Sequence, residues 1–432
     1  MIYGCCKMNF KKFIPIKLKN IRLRMKYYLV QKRYKKVIKR LKKKVNANDK
    51  ITVGYYVLFD SVFSAKPLFE KMLLNETFEP FIVVIPDTSR GQENMFSQLN
   101  KSYQTFMDHY SKDRVLMSYD ERNDSFIDFS DKFDMVYLSN PYDFMTHEYF
   151  RVGYLKNKDL LTFHTNYGFF GLELYTERHL VPLPFFSLVW KVFTETEYSV
   201  EEFKQYQGIK GRNVSLTGYC KLDEFSHHVR KQKTRKSIII APHHTILDST
   251  PEVVKLSNFL KYFNFFLTLP QRYPDIDFVF RPHPLLFVNL IRVDVWGEEK
   301  TNEYLSKLLS NGNVVYSDGG SYYDIFINSD AMIHDCSSFT AEYMVTGNPC
   351  CYMLKSKSQV DTIFKQFGKD CLEFYHKAYN EFDILHFIDS VVIKGQDEFK
   401  KERNTFVNDK IKVNYPNVAE KILQEIIEAI LT

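Results

Sequence analysis

The chain has 432 residues, too many for one ordinary hydrophobic core, and its length favours two domains of roughly 150 to 200 residues each. With 45% hydrophobic residues, 26% charged residues, 38 Phe and 29 Tyr, the composition excludes intrinsic disorder, and no apolar run approaches the roughly 20 residues of a membrane span. Net charge is +7 but unevenly spread: residues 1–44 hold 17 Lys and Arg and no acid, leaving 42 basic against 52 acidic side chains in the remainder.

That basic arm, residues 1–48, reads as a helix. In "RMKYYLVQKRYKKVIKRLKKK" the apolar positions Val30, Tyr34, Val37, Ile38 and Leu41 recur at steps of three and four, while Lys32, Arg33, Lys35, Lys36, Lys39, Arg40 and Lys42 fill most of the rest. A basic amphipathic helix on an otherwise acidic protein predicts attraction to an anionic membrane surface, at about 1 kcal/mol per Lys or Arg near the surface. The competing expectation is a solvated arm whose apolar stripe packs on the protein's own body or on a second subunit. No aromatic-interleaved basic groove follows in the main body, so nucleic acid is not the expected partner.

From residue 51 β-type runs alternate with helix-type segments. "ITVGYYVLF" leads to the apolar-periodic "SAKPLFEKMLL", "PFIVVIP" to a helix after Arg90, and "FDMVYLSNP" to one around Met145. "LLTFHTNYG", "VWKVFTET" and "NVSLTG" are three further strands, closing a first Rossmann-like domain over 49–228. The polar, basic "HHVRKQKTRK" reads as a hinge. Alternation restarts with "SIIIAPHHT", "IDFVFRPHP", "NVVYSDGG", "DAMIHDCSS" and "NPCCYML" in a second Rossmann-like domain over 236–395, followed by a helical region over 396–432. Two such lobes imply a cleft between them.

In open parallel sheets ligands sit beyond the carboxyl ends of the strands, which is where the polar clusters of the second half fall. At Asp335 to Ser338 a strand passes into a helix, whose unpaired N–H groups favour an anion. Ser337 and Ser338 add hydroxyls there, although a serine in that place also serves as a plain helix cap. Arg281 in "FRPHPLL" suits bidentate pairing with phosphate, and prolines on both sides stiffen the backbone at His283. His243 and His244 in "APHHT" can line the same cleft, and Glu342, a turn into the helix, can reach a ribose hydroxyl. In the first half, His164 ends an apolar strand and, facing the cleft, would suit a general base, with a structural histidine as the plain alternative and Glu173 and Glu177 as other bases. The seven cysteines form no C-x-x-C pair and predict reduced thiols in a cytosolic protein with no zinc site. Phosphate-loop, dinucleotide, zinc-protease and hydrolase-elbow motifs are missing from the sequence.

"FVFRPHPLL", "YYDIFINSDAMIHDCSSFTAEYMVTGNP" and "IIIAPHHT" resemble the C-terminal half of the CDP-glycerol glycerophosphotransferase family, the teichoic-acid primases and polymerases and their capsule-associated relatives. The resemblance covers about residues 235–355 and extends more loosely to "FHTNYGFF". It implies a GT-B-like α/β fold with a nucleotide-activated, CDP-linked donor in the C-terminal domain. It also implies a lipid-linked or polymeric glycan acceptor on the N-terminal side, peripheral attachment to the inner face of the cell membrane, and no further cofactor. By it, His164 matches the proposed base, His283 a histidine contacting the donor diphosphate, and Ser337 and Ser338 the paired serines of a phosphate-binding turn. The chain departs from the family at Phe163-His164-Thr165, where Trp-His-Gly is usual. It departs again at Pro242-His243-His244-Thr245, where many members have Pro-Thr-Trp-Arg. The expected activity is polyol-phosphate transfer, with a nucleotide-sugar glycosyltransferase and a non-catalytic glycan- or nucleotide-binding module as the alternatives.

Overall fold

The computed structural model describes residues 16–169, 180–250, 255–318 and 321–432. In the first half β1 (Ile51–Val57), β2 (Phe78–Val84) and β3 (Val115–Met117) precede a short antiparallel hairpin, β4 (Tyr119–Asp120) with β5 (Ser125–Phe126). Then come β6 (Met135–Leu138), β7 (Leu161–Thr165), β8 (Lys191–Thr194) and β9 (Val214–Leu216). Apart from the hairpin these strands form one parallel sheet in the order β3-β2-β1-β6-β7-β8-β9. The second half supplies β10 (Lys236–Ala241), β11 (Ile276–Phe280), β12 (Val314–Tyr316), β13 (Ala331–His334), β14 (Cys350–Met353) and β15 (His376–Ala378). They form a second parallel sheet in the order β12-β11-β10-β13-β14-β15.

Both strand orders reverse once, between β1 and β6 and between β10 and β13. At such a switch point the two connections leave on opposite faces and open a crevice at the strand ends. The register makes that crevice well defined in the second sheet, where Ala241 pairs with His334 and Ile240 with Phe280. The strands are nearly continuous apolar runs because helices cover both sheet faces: β1, β6, β7 and β13 are buried almost throughout.

The predicted N-terminal helix forms over Ile16–Asn46, and the structure decides where its stripe goes. Tyr27, Val30, Tyr34, Val37 and Leu41 are buried, and all but Tyr27 belong to the first sheet's core. Tyr34 donates to the Leu188 carbonyl (2.5 Å) and meets Thr162 Oγ1 at 2.9 Å. Arg40 and Lys44 both reach the buried carboxylate of Asp134, Lys44 at 2.6 Å. So the stripe built from Val30, Tyr34, Val37 and Leu41 is intramolecular packing, and these two cations have a protein partner.

The region after residue 395 divides. Val407 and Ile411 stay in the second lobe's packing, whereas the helix Val418–Leu431 returns and buries Val418, Ile422, Leu423, Ile426 and Ile430 in the first core. Asp223, just after β9, accepts from the N–H groups of Val418 (3.1 Å) and Ala419 (2.7 Å) and so caps the returning helix. The chain therefore crosses between the lobes twice at one place. Gly218 sits there with φ +97°, and a Cβ on it would lie 2.1 Å from the Val413 carbonyl oxygen. Gly218→Ala is expected to cost about 2 kcal/mol or more, measured as a lower urea midpoint; an unchanged midpoint would show that the crossover relaxes.

Candidate functional site

β10, β11 and β13 end side by side, and their next residues meet. The His283 N–H donates to the Pro242 carbonyl (3.0 Å) and the Arg281 N–H to Ile240 (2.9 Å), which zips the first two loops together. The rings of His243, His244 and His283 consequently cluster, with centroid separations of 4.4, 5.3 and 4.1 Å. From β13, the fully buried Asp335 accepts from the His243 N–H (2.6 Å), the Asn258 N–H (2.5 Å) and the Asn258 side-chain amide (3.4 Å). Burial raises the Asp335 carboxyl to about 6 against the pull of those N–H donors. One carboxylate thus fixes where the histidine loop stands.

Hydrogen bonds also settle which nitrogen of two imidazoles carries the proton. His283 Nδ1 accepts from the Leu285 N–H at 3.1 Å, so the neutral ring bears its hydrogen on Nε2. Thr245 Oγ1 accepts from the Leu256 (2.9 Å) and Ser257 (3.2 Å) N–H groups, which leaves its own hydrogen for His243 Nδ1 at 2.9 Å. His243 is then also an Nε2–H donor. Burial, with the neighbouring rings, pushes His243 well below the usual histidine range and His283 down to about 3, and burial lowers His244 too. The rings are uncharged at neutral pH.

These three histidines are, among the described residues, the one cluster of at least three groups with metal-ligand spacing, their ligand atoms lying within 4.8 Å of one another. At His243 and His283 a cation would need the Nδ1 lone pairs that Thr245 and Leu285 already occupy, or an Nε2 stripped of its hydrogen, which leaves His244 as the one ring of the three with a lone pair to offer. The set fits an oxyanion better than a cation.

Charge comes from beside the histidines. Arg281 is buried, and its Nη1 donates to Ser317 Oγ at 2.5 Å. Its guanidinium lies 5.7 Å from the centre of the Tyr322 ring. The helix Ser337–Met344 begins directly after Asp335 and Cys336, with Ser337 half-buried and Ser338 exposed at its first two positions. Arg281, His243, His244, His283, Ser337 and Ser338 all follow the ends of the adjacent strands β11, β10 and β13. Glu342 differs from its expectation: its carboxylate is buried and bonded to the Tyr322 hydroxyl. It orders the second lobe's Tyr322, and burial raises its pKa.

His164 also differs from its expectation of facing the cleft. It is fully buried, its Nδ1–H donating to the Leu138 carbonyl (2.6 Å) and its ring edge-on to Phe185 and Phe186 at 5.1 and 5.7 Å. Alternation along β7 explains this. Thr165, the next residue, points the other way to Ser64 and Tyr137, and the short helix Pro184–Leu188 covers the His164 side. Burial lowers His164 to about 4, and its Nε2 has no partner among the described residues. Glu173 and Glu177 lie outside the described residues. The five described cysteines are buried free thiols, and Cys5 and Cys6 are outside the described residues.

Sequence reasoning missed the residues that hold the site: Thr245, Asn258 and Tyr322, which bond or pack on His243, Asp335 and Arg281. Only Thr245 sat inside a quoted strand-end motif with a hydroxyl to signal it.

No known protein-family model matches the sequence, and none of the curated proteins matches it. Solved structures do match. UDP-GlcNAc 2-epimerase from Neisseria meningitidis bound to UDP-GlcNAc superposes with TM-score 0.56 at 14% identity, over 87% of this chain and 99% of that one. The S. aureus MnaA–UDP complex gives 0.55 at 15% identity, over 89% and 98%. A variant of the wall teichoic acid polymerase TagF gives 0.53 at 13% identity, over 96% and 98%. The fold is GT-B. At these identities the likeness speaks for architecture, and the chemistry has to be argued from the site.

Asp335→Asn keeps the size but turns an amide N–H₂ toward N–H donors. It should cost about 2 kcal/mol in stability, measured as a lower urea midpoint; an unchanged midpoint would mean that the histidine loop needs no anchor.

Proposed function

We propose that the protein is a transferase of bacterial cell-envelope polymer synthesis that moves a polyol phosphate, such as glycerol phosphate, from a CDP-linked donor to a hydroxyl of a lipid-linked or growing glycan. The feature that supports this reading is the grouping of Arg281, the Nε2–H donors of His243 and His283, and the start of the helix Ser337–Met344 at the ends of three adjacent strands. Such a set binds a diphosphate and stabilises charge building on the departing nucleotide. The acceptor oxygen attacks the distal phosphorus, a P–O bond to the acceptor forms, the diphosphate P–O bond breaks, and CMP leaves.

The hydroxyl proton needs an acceptor at the cleft, and with His164 buried we assign that role to His244. Its ring lies 4.1 Å from that of His283 and makes no hydrogen bond to another described residue. Its lowered pKa keeps it in the accepting form at neutral pH. A rate requiring neutral His244 should fall only on the acid side, with a midpoint below that of an ordinary histidine because burial lowers its pKa. His244→Gln should reduce turnover about a hundredfold or more while donor affinity survives; an equal loss in both would make His244 a binding group only.

A second reading has its own support, since the solved GT-B neighbours include epimerase structures with UDP or UDP-GlcNAc bound. In it the transferred group is a sugar, and UDP is the leaving group. Incubating the protein and membranes with CDP- and UDP-linked donors decides: released CMP fits phosphodiester synthesis, and released UDP a glycosidic bond. A protein that binds these donors without consuming them would be a binding module.

Membrane attachment belongs to the same proposal but uses a different face from the one first expected. Among the described residues no helix is long and apolar enough to cross a membrane. On the N-terminal helix a second stripe, Ile21 (53% exposed), Met25 (65%), Tyr28 (60%) and Leu29 (65%), faces solvent. Exposed Lys32, Lys35, Lys36 and Lys39 continue it. Apolar side chains beside lysines suit an anionic lipid interface. Met25→Asp with Leu29→Asp should abolish sedimentation with phosphatidylglycerol vesicles while leaving the melting temperature unchanged; sedimentation equal to the wild type would remove this face from the proposal.

A further inference from the structure

We propose that the first lobe carries an aromatic shelf, formed by Tyr142, Phe144 and Tyr167, that receives the acceptor as a sugar ring, so that the accepting group is a pyranose hydroxyl and not the end of a polyol phosphate chain. This rests on the transferase reading and names the acceptor class for it. The shelf stands where the first sheet reverses its strand order: Tyr142 and Phe144 follow β6, and Tyr167 follows the neighbouring β7. Phe144 is 69% exposed, and its ring centre lies 5.9 Å from that of the half-buried Tyr142. The Tyr142 and Tyr167 rings are 6.3 Å apart, and their hydroxyls meet at 2.8 Å. A group of rings left partly open to solvent marks a contact surface more than a lone exposed side chain does.

Hydrogen bonds fix the shelf and tie it to the neighbourhood of the histidines. The Asn140 side-chain oxygen accepts from the Tyr142 N–H at 2.6 Å, and the Tyr219 hydroxyl donates to the Tyr167 carbonyl at 2.9 Å. The Met145 carbonyl accepts from the Thr88 N–H at 2.8 Å, which joins the shelf loop to the loop after β2 that carries Arg90. Arg90, paired through Nε with Asp87 at 3.3 Å, is close enough for its charge to reach His244 of the second lobe. The chemistry of the shelf then selects among acceptors. A pyranose has an apolar C–H face and a rim of hydroxyls, which match exposed rings with a hydroxyl pair among them. A polyol phosphate chain offers no such face and brings negative charge, whereas residues 139–147 and 164–169 contain no Lys or Arg and do contain Asp143. An acyl chain would use the rings but not the hydroxyls.

The test uses the full-length chain, as wild type and with Phe144→Ala or Phe144→Tyr. Saturation-transfer NMR is recorded with N,N′-diacetylchitobiose as the pyranose, sn-glycerol 3-phosphate as the polyol phosphate end and hexanoate as the acyl chain. CDP is titrated calorimetrically, and each protein is melted. The expected result is that the ring C–H protons of the disaccharide saturate on the wild type and on Phe144→Tyr, that Phe144→Ala binds it about fivefold more weakly, and that the other two probes do not saturate. All three proteins should melt alike and bind CDP alike. Equal disaccharide binding by the wild type and Phe144→Ala, no disaccharide binding, or saturation of glycerol 3-phosphate or hexanoate in its place would overturn the proposal. So would a loss matched by a lower melting temperature and not restored by tyrosine, which would mark Phe144 as packing. Should the wild type release no CMP from a CDP-linked donor while disaccharide binding still requires Phe144, the transferase reading fails and the shelf remains as a sugar-binding site alone.

Discussion

A buried carboxylate accepting backbone hydrogen bonds is the constraint on which the site depends. Asp335 ends β13 at the switch point and reaches the backbone of the neighbouring β10 loop and the turn at Asn258, joining three segments distant in sequence. A buried acid is costly unless its lone pairs are used, so it tolerates little displacement of the groups it holds. The position of His243 follows from it, and Thr245 then fixes the ring.

The resulting crevice gives most of its donors without charge. Two imidazoles, each proton fixed on Nε2 by a hydrogen bond to Nδ1, behave as neutral N–H groups, much as the first turn of the helix Ser337–Met344 does. Permanent positive charge beside them comes from Arg281, and Arg90 lies near enough to help lower His244. Preorganised dipoles of this kind lose little in reorganisation when charge develops, which is why such sites suit transfer from a nucleotide. The clustering that resembles a metal centre is therefore consistent with anion binding once lone pairs are counted.

Much of the fold was legible because apolar runs followed by polar strand ends are dictated by a parallel sheet covered on both faces. "FRPHP" and "HDCSS" stand at the ends of the two strands that flank β10. What could not be read were orientations and returns. Nothing in "LLTFHTNYG" tells which face of β7 His164 occupies, because both faces are buried and alternation carries no signal. The stripe of the basic arm gave a helix but not the surface that would cover it; Asp134, some 90 residues away, decides that. The crossing of the helix Val418–Leu431 back to the first core depends on Asp223 and Gly218, neither in a recognisable motif.

A crystal of the protein soaked with CDP tests the central claim most directly. The account places the diphosphate within hydrogen-bonding reach of Arg281, of Nε2 on His243 and His283, and of the N–H groups at Ser337 and Ser338. Density for the nucleotide elsewhere, with these groups still bonded only to one another, would contradict it.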